Sequence, residues 1–108
     1  MEADAQGWSE SERVVARRAF DLACQREIAS LIEAVQLRFA SISTVESVWE
    51  LHDFLSIRRH ELEGRFDFRL SGLLFVFAGF VRDGLLTMAE LEGLSGEKLA
   101  KFAAMARF

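Results

Sequence analysis

The sequence contains no proline and no tyrosine among its 108 residues, and its only cysteine is Cys24. Proline interrupts a helix more strongly than any other residue, so a chain without it favours an all-helical fold. A single cysteine cannot form a disulfide within the chain, which indicates a reducing compartment. We therefore expect an all-α, cytoplasmic protein.

The sequence also lacks a long hydrophobic run and an excess of positive charge. Its longest apolar stretch, residues 70–81, is shorter than the roughly 20 residues that span a bilayer. Residues 1–7 are small and acidic rather than basic and apolar, so we expect no signal peptide. The net charge of −4 disfavours binding to nucleic acids or anionic membranes. The length fits one domain over residues 1–108.

A long first helix is predicted from Ser9 to about Ala40. Ser9 and Glu12 have the spacing of a capping box, in which each side chain bonds the other residue's backbone N–H. No glycine, proline or asparagine lies between residues 8 and 40 to end the helix. Apolar residues recur every three or four positions, as on one face of a helix: Phe20, Cys24, Ile28, Leu31, Val35, Phe39 and Ile42.

The length of this helix predicts a homodimer. About 30 helical residues extend over about 45 Å, whereas a compact chain of this size has a diameter of about 35 Å. Part of the helix would therefore lie outside its own monomer with apolar side chains exposed, and a second copy is the simplest cover for them. The alternative is a break near the middle of the helix, which would fold it into a hairpin.

Further capping signals divide the rest of the chain. Ser43 and Glu46 form another capping box, which predicts a second helix to about Glu63, with Gly64 as a stop or bend. The apolar run within residues 66–83 fits a buried strand or a helix by periodicity alone. Helix is favoured, because no other stretch offers a pairing strand and a glycine follows. Gly84 predicts the end of the third helix. Thr87 and Glu90 form a capping box that predicts a short helix, and Ser95 predicts the start of a final helix to Phe108.

The second helix carries the densest group of aromatic, charged and hydrogen-bonding side chains. Its members are Trp49, His52, Asp53, Ser56 and Arg59 or His60. Residues three and four apart are neighbours on a helix, so these side chains share one broad stripe. A stripe that combines tryptophan with arginine is typical of protein interfaces. The alternatives are a core position for Trp49, a histidine satisfied within an interface, and a solvated pair of charges at Asp53 and Arg59.

These residues do not predict an enzyme. Asp53 directly follows His52 and is expected to point about 100° away, so it would not orient the imidazole for catalysis by Ser56. His52 and His60 leave a metal site two ligands short. We predict no catalytic residue, no metal and no cofactor. A DNA-binding role for the C-terminal helices is a further alternative, disfavoured because few basic residues lie there.

Motifs spread over nearly the whole chain resemble one known family. The octet WELHDFLS at residues 49–56 is followed by Arg59, GRFDFR at 64–69, FVFA at 75–78, DGL at 83–85 and ARF at 106–108. Together with Trp8, Ser9 and residues 25–27, these segments strongly resemble the fluorescence recovery protein family, the cyanobacterial regulators of the orange carotenoid protein.

The resemblance implies an all-α fold in which long antiparallel helices form a dimeric stem, residues 9–63, with a C-terminal helical head, residues 65–108. It implies a non-enzymatic regulator that binds the photoactivated orange carotenoid protein, mainly its C-terminal domain. Such a regulator accelerates the return of that protein to its dark orange form and promotes its detachment from the phycobilisome. The alternative is a family member from a bacterium without phycobilisomes that acts on a different protein partner.

The resemblance also assigns site residues. Partner-binding positions on the stem and the head would be Trp49, His52, Asp53, Arg59, Phe75 and Lys101. Val48 would be a dimer-interface residue, and the apolar face of the second helix adds Val45 and Leu55 to that interface.

Overall fold

The computed structural model describes residues 7–107, and over this range the chain is all-α, as predicted. No β-strand occurs among these residues, so the strand alternative for residues 66–83 is wrong. The helices are α1 (Glu10–Ala40), α2 (Val45–Arg65), α3 (Leu73–Arg82) and α4 (Gly96–Met105), with short 3-10 helices at Leu70–Gly72 and Met88–Leu91. No helix between residues 7 and 107 is both long enough and apolar enough to span a membrane.

The first helix, α1, begins at the predicted capping box and continues without interruption to Ala40. The backbone N–H of Glu12 donates to Ser9 Oγ at 3.1 Å, and the N–H of Ser9 donates to Glu12 Oε1 at 3.0 Å. The alternative of a break near the middle of this helix is therefore wrong.

The second helix, α2, starts one residue later than predicted, because a different pair forms its capping box. The N-cap is Thr44: its Oγ1 accepts from the N–H of Ser47 at 3.1 Å, and its own N–H donates to Ser47 Oγ at 3.1 Å. The N–H of Ser43 also donates to Ser47 Oγ, at 3.2 Å. The predicted pair of Ser43 and Glu46 is wrong, since the short side chain of Ser47 already reaches these backbone donors.

The end of α2 also differs from the prediction. Gly64 does not stop the helix, which extends to Arg65 and closes with a bond from the Phe66 N–H to the Leu62 carbonyl at 2.9 Å. The Arg65 guanidinium donates to Glu27 at 3.1 Å, which ties the last turn of α2 to α1.

One compact unit combines the residues up to Gln25 with those from Phe68 onward. Within it α3 packs directly against α4, and the ring of Phe77 meets that of Phe102 edge-on at 5.7 Å. The core contains a set of large side chains with almost no exposed surface: Trp8, Phe77, Phe80, Phe102, Leu73 and Leu91. The N-terminal part of α1 contributes Ala16, Ala19, Phe20 and Ala23 to it.

The start of the third helix is later than predicted, because residues 66–69 are not helical. The ring of Phe68 instead packs edge-on against Phe20 at 5.2 Å and lies 4.8 Å from the Arg17 guanidinium. The end of α3 is as predicted: Gly84 has a φ of +78°, and the next N–H donates to the Phe80 carbonyl at 2.8 Å.

The capping residues predicted near the C-terminus are confirmed. Thr87 and Glu90 form a capping box for the 3-10 helix Met88–Leu91. The hydroxyl of Ser95 accepts from the Lys98 N–H at 3.2 Å and begins α4, which ends at Met105. The predicted end at Phe108 lies outside the described residues.

The second unit, residues 26–67, is an antiparallel helical hairpin formed by the C-terminal part of α1 and all of α2. Glu27 contacts Arg58 and Arg65 toward the far end of α2, while Arg38 stacks on the Phe54 ring at 3.9 Å nearer the connection. Among the apolar residues of this unit, all of which are described, only Leu62 is buried. The hairpin therefore has little core of its own.

Candidate protein-interaction surface

The hairpin exposes an apolar stripe on each of its helices. On α1 the stripe consists of Ile28, Val35 and Phe39 from the predicted seam and of Ile32, which was not predicted; all are exposed except the half-buried Val35. On α2 the three predicted dimer-interface residues, Val45, Val48 and Leu55, are all exposed. At about 100° per residue these three fall on one side of α2, with Trp49 beside them.

An apolar cleft of about 560 Å³ lies between the two stripes. Its lining is Leu31, Leu55, Arg59, Leu62, Glu63 and Phe66. Ile28 and Val35 lie one turn on either side of Leu31, and Val48 lies two turns before Leu55. Both stripes therefore border the same cleft, and together they form one apolar face of the hairpin.

Trp49 is exposed over 59% of its surface, so its alternative assignment to the core is wrong within this chain. It lies next to a shallow hollow of about 240 Å³ that brings together His52, Leu55, Ser56 and Arg59. The guanidinium of Arg59 donates to Glu63 Oε2 at 3.1 Å, one turn along the same helix. The stem positions predicted for partner binding therefore share one exposed region of α2.

The relation between His52 and Asp53 differs from the prediction. His52 Nδ1 lies 3.2 Å from Asp53 Oδ1, although the two residues are adjacent on the helix. The prediction that Asp53 could not reach the imidazole is wrong. Both side chains rotate about their own bonds, and this brings Nδ1 and Oδ1 together although the two Cα–Cβ bonds diverge. Both side chains are nevertheless well exposed to solvent. A hydrogen bond in this setting is weak, and it does not build the water-excluded site that nucleophilic catalysis uses.

The two positions predicted on the head, Phe75 and Lys101, both lie at the surface. Phe75 on α3 is exposed over 74% of its surface and borders a hollow of about 310 Å³ with Ala78, Arg82 and Met105. The ammonium of Lys101 on α4 is 3.9 Å from Glu97. Single exposed apolar residues are common on protein surfaces, so exposure alone does not mark Phe75 as a contact residue, and Lys101 resembles an ordinary surface lysine.

Comparison with known proteins places these features in a family. The sequence profile described as "Photoprotection regulator fluorescence recovery protein" matches residues 8–106. The chain belongs to the fluorescence recovery protein family. It is 41% identical over 100 residues to the fluorescence recovery protein of Synechocystis sp. (strain ATCC 27184 / PCC 6803 / Kazusa), covering 93% of this chain and 92% of that protein.

Solved structures of fluorescence recovery proteins share the fold. The structure from Fremyella diplosiphon superimposes with a TM-score of 0.90 at 44% identity, covering 94% of this chain and 99% of that one. The structure from Synechocystis sp. PCC 6803 superimposes with a TM-score of 0.89 at 40% identity over the same shares. The family consists of regulators of photoprotection rather than enzymes. The resemblance and the fold class predicted from the sequence are thus confirmed.

One polar site of the chain, centred on Glu27, was not predicted from the sequence. Glu27 as a whole residue is only 5% exposed. Its carboxylate accepts from Arg58 Nη2 at 2.7 Å and from Arg65 Nη1 at 3.1 Å. The hydrogen bonds that Arg58 donates to Glu27 and Glu61 raise the pKa of Arg58 above its ordinary value, although burial opposes the shift. A signal was present, since Glu27 falls three residues after Cys24 and four before Leu31, within the apolar seam itself.

Proposed function

We propose that this chain binds the photoactivated orange carotenoid protein, mainly its C-terminal domain, in the cytoplasm. Binding accelerates the return of that protein to its dark orange form and promotes its detachment from the phycobilisome. Membership of a family of photoprotection regulators supports the proposal. The exposure of Trp49 beside His52, Asp53 and Arg59 on α2 is the observation that supports assigning the binding to these residues.

The form that binds is a homodimer joined through the apolar face of the hairpin. The stripes of α1 and α2 and the cleft between them are too extensively apolar to suit permanent exposure to water. Val45, Val48 and Leu55 are the interface residues on α2, and a second copy of the same face covers them. A two-fold dimer brings the same surface from each chain into contact.

In the proposed mechanism, the regulator binds some conformations of the partner more tightly than others while the partner returns to its dark form. A protein that accelerates a conformational return must bind the barrier state, or an intermediate toward it, more tightly than the starting state. Equal affinity for both forms would shift nothing. A regulator that holds one domain of the photoactivated partner through α2 and contacts the other through Phe75 and Lys101 raises the effective concentration of the two domains.

Individual roles follow from the chemistry of each side chain. Trp49 is the apolar anchor, since exposed tryptophans that become buried dominate interface energies. Asp53 and Arg59 set the orientation of the partner through charge, with His52 beside them as a hydrogen-bonding group. Because the pair of Arg59 with Glu63 is exposed, Arg59 can exchange that contact for one to the partner at little cost.

The test is to mix the protein with a photoactivated orange carotenoid protein and time the decay from red to orange. Trp49→Ala should slow the accelerated decay by about tenfold or more, as for loss of an interface anchor. Leu37→Ala is the matched control, because Leu37 is 68% exposed on α1 rather than on α2 and should leave the decay unchanged. Equal decay rates for the wild type and Trp49→Ala would refute the role of Trp49. If the wild-type chain itself has no effect, the alternative of a different protein partner gains support.

A further inference from the structure

The two helices of the hairpin meet through charged side chains where apolar packing would be expected. Both carboxylate oxygens of Glu27 are occupied, one by Arg58 at 2.7 Å and one by Arg65 at 3.1 Å. Arg58 also donates to Glu61 Oε1 at 2.7 Å. Two acidic and two basic groups therefore form a neutral cluster, hereafter the Glu27 clamp, that connects α1 to α2.

Stability alone does not account for a buried ionic cluster. Removing charges from water is costly, and well-packed apolar residues of similar volume often stabilise a fold as well or better. The arginines are only about a quarter exposed and the Glu27 side chain is 7% exposed, so this desolvation is substantial. The charged groups provide length, which leucines would not. A glutamate and an arginine joined end to end keep two helices further apart than two leucines do.

The consequence of that spacing is visible beside the clamp. In the other unit α3 and α4 pack directly against each other, whereas in the hairpin α1 and α2 approach each other mainly through long side chains. The space left between them is the apolar cleft of about 560 Å³, lined by Leu31, Leu55 and Leu62. Well-packed helices have axes about 8–10 Å apart and leave no such space.

We propose that the Glu27 clamp is a spacer that holds α1 and α2 apart and so keeps the apolar cleft open for a helix from a second copy of this chain. The occupant is a second copy because Leu55, which lines the cleft, also belongs to the proposed dimer interface, together with the exposed Val45 and Val48. The inference rests on the proposed homodimer and names residues that determine its geometry without being part of its contact surface. Glu27, Arg58 and Arg65 are thus positioning residues.

The first test compares two variants with the same change of charge on α1. Glu27→Gln removes the carboxylate that Arg58 and Arg65 share and should raise the dimer dissociation constant about tenfold, the size of effect expected for a coupled network. Glu33→Gln is the control, because Glu33 is exposed on the same helix within the same unit. Sedimentation equilibrium over a range of protein concentrations measures both constants, and circular dichroism checks that helicity is retained. Equal dissociation constants for Glu27→Gln and the wild type would overturn the proposal.

A second test separates spacing from simple attachment of the helices. The triple variant Glu27→Leu, Arg58→Leu and Arg65→Leu replaces the clamp by short apolar groups that still join α1 to α2. If the clamp only attaches the helices, the dimer persists; if it is a spacer, the helices approach each other, the cleft closes and the dissociation constant rises about tenfold or more.

The spacing itself is measured by double electron–electron resonance between spin labels at the exposed positions Ser30 and Glu50, in a Cys24→Ser background diluted with unlabelled chain. The label-to-label distance should be shorter in the triple variant than in the wild type. An unchanged distance would contradict the proposal, whatever the dimer does. A wild-type chain that sediments as a monomer would instead refute the homodimer, and the distance measurement would still decide whether the clamp spaces the helices.

Discussion

The two units of the chain are both built from α-helices, but they bury apolar side chains very differently. The unit formed by residues up to Gln25 and from Phe68 onward encloses an aromatic core in which Phe77, Phe80 and Phe102 have no exposed surface. The hairpin of residues 26–67 buries one apolar residue, Leu62, and exposes most of the others. One unit buries its hydrophobic side chains within the chain, and the other leaves most of them exposed, as the proposed dimer would require.

The contrast runs through a single helix. In its N-terminal part α1 buries Phe20 at 4% exposure, and in its C-terminal part the same apolar seam exposes Phe39 at 70%. The periodicity of the sequence is equivalent in both parts, so periodicity tells which side of a helix is apolar and not what covers it. In this chain the first part of the seam is covered by α3 and the segments around it, and the second part is exposed.

The comparison predicts that removing a ring from each unit has unequal effects. Phe77→Ala should lower the free energy of unfolding by about 3–5 kcal/mol, because it leaves a cavity in a packed core. Phe39→Ala should lower it by less than about 0.5 kcal/mol at protein concentrations where the chain is monomeric, as for an exposed position. Chemical denaturation followed by circular dichroism measures both values, and comparable losses would contradict the distinction between the units.

A charge placed on the apolar face of the hairpin tests the same comparison in the second unit. Leu55→Asp puts a carboxylate at the edge of the apolar cleft and should weaken self-association about 100-fold, because that charge would lose its water in the dimer. Ile57→Asp, at an exposed position on another side of α2, should leave the dissociation constant unchanged. Sedimentation velocity distinguishes the two outcomes. A Leu55→Asp variant that remains dimeric would remove the apolar face of the hairpin from the interface.

Local signals in the sequence predicted the helices well and their ends less well. The Ser9–Glu12 and Thr87–Glu90 boxes were identified because capping depends on residues three positions apart. The end of α2 was missed because the Arg65 that extends it bonds to Glu27, a residue 38 positions away. Sequence spacing carries no information about a partner at that distance.

The candidate site shows the same division. The cluster of Trp49, His52, Asp53 and Arg59 was found because all four residues belong to one helix, where spacing fixes neighbourhood. Their exposure could not be predicted, since an amphipathic helix has the same sequence pattern whether its apolar side meets its own chain or another. The Glu27 clamp was overlooked for a related reason: an acidic residue in an apolar seam has meaning only when the arginines opposite are known.

The smallest predicted effect concerns Glu12, which is the buried carboxylate of the packed unit as Glu27 is of the hairpin. Burial raises the pKa of Glu12, but hydrogen bonds from the backbone N–H groups of Ser9 and Ser95 and from the Lys98 ammonium outweigh it, so the pKa lies below its ordinary value. The distances are 3.0, 2.8 and 3.2 Å. One carboxylate thus joins the start of α1 to the start of α4 within a closed core.

A carboxyl whose pKa is lower in the folded than in the unfolded chain stabilises the fold above its unfolded pKa, about 4.3 for glutamate. That contribution disappears as the pH falls through the lower folded value. Glu12→Gln should therefore lower the free energy of unfolding by about 1–2 kcal/mol at pH 7, and the difference from the wild type should shrink below about pH 4.

Urea denaturation across this pH range measures the difference, with Glu92→Gln as a control at an exposed position of the same unit. A difference that does not change with pH would mean that Glu12 stabilises by packing rather than by its charge. Glu12→Gln should also leave the dimer dissociation constant unchanged, in contrast to Glu27→Gln. That contrast follows from where each carboxylate lies: Glu12 belongs to a core that the chain itself completes, whereas Glu27 borders the apolar face that a second chain covers in the proposed dimer.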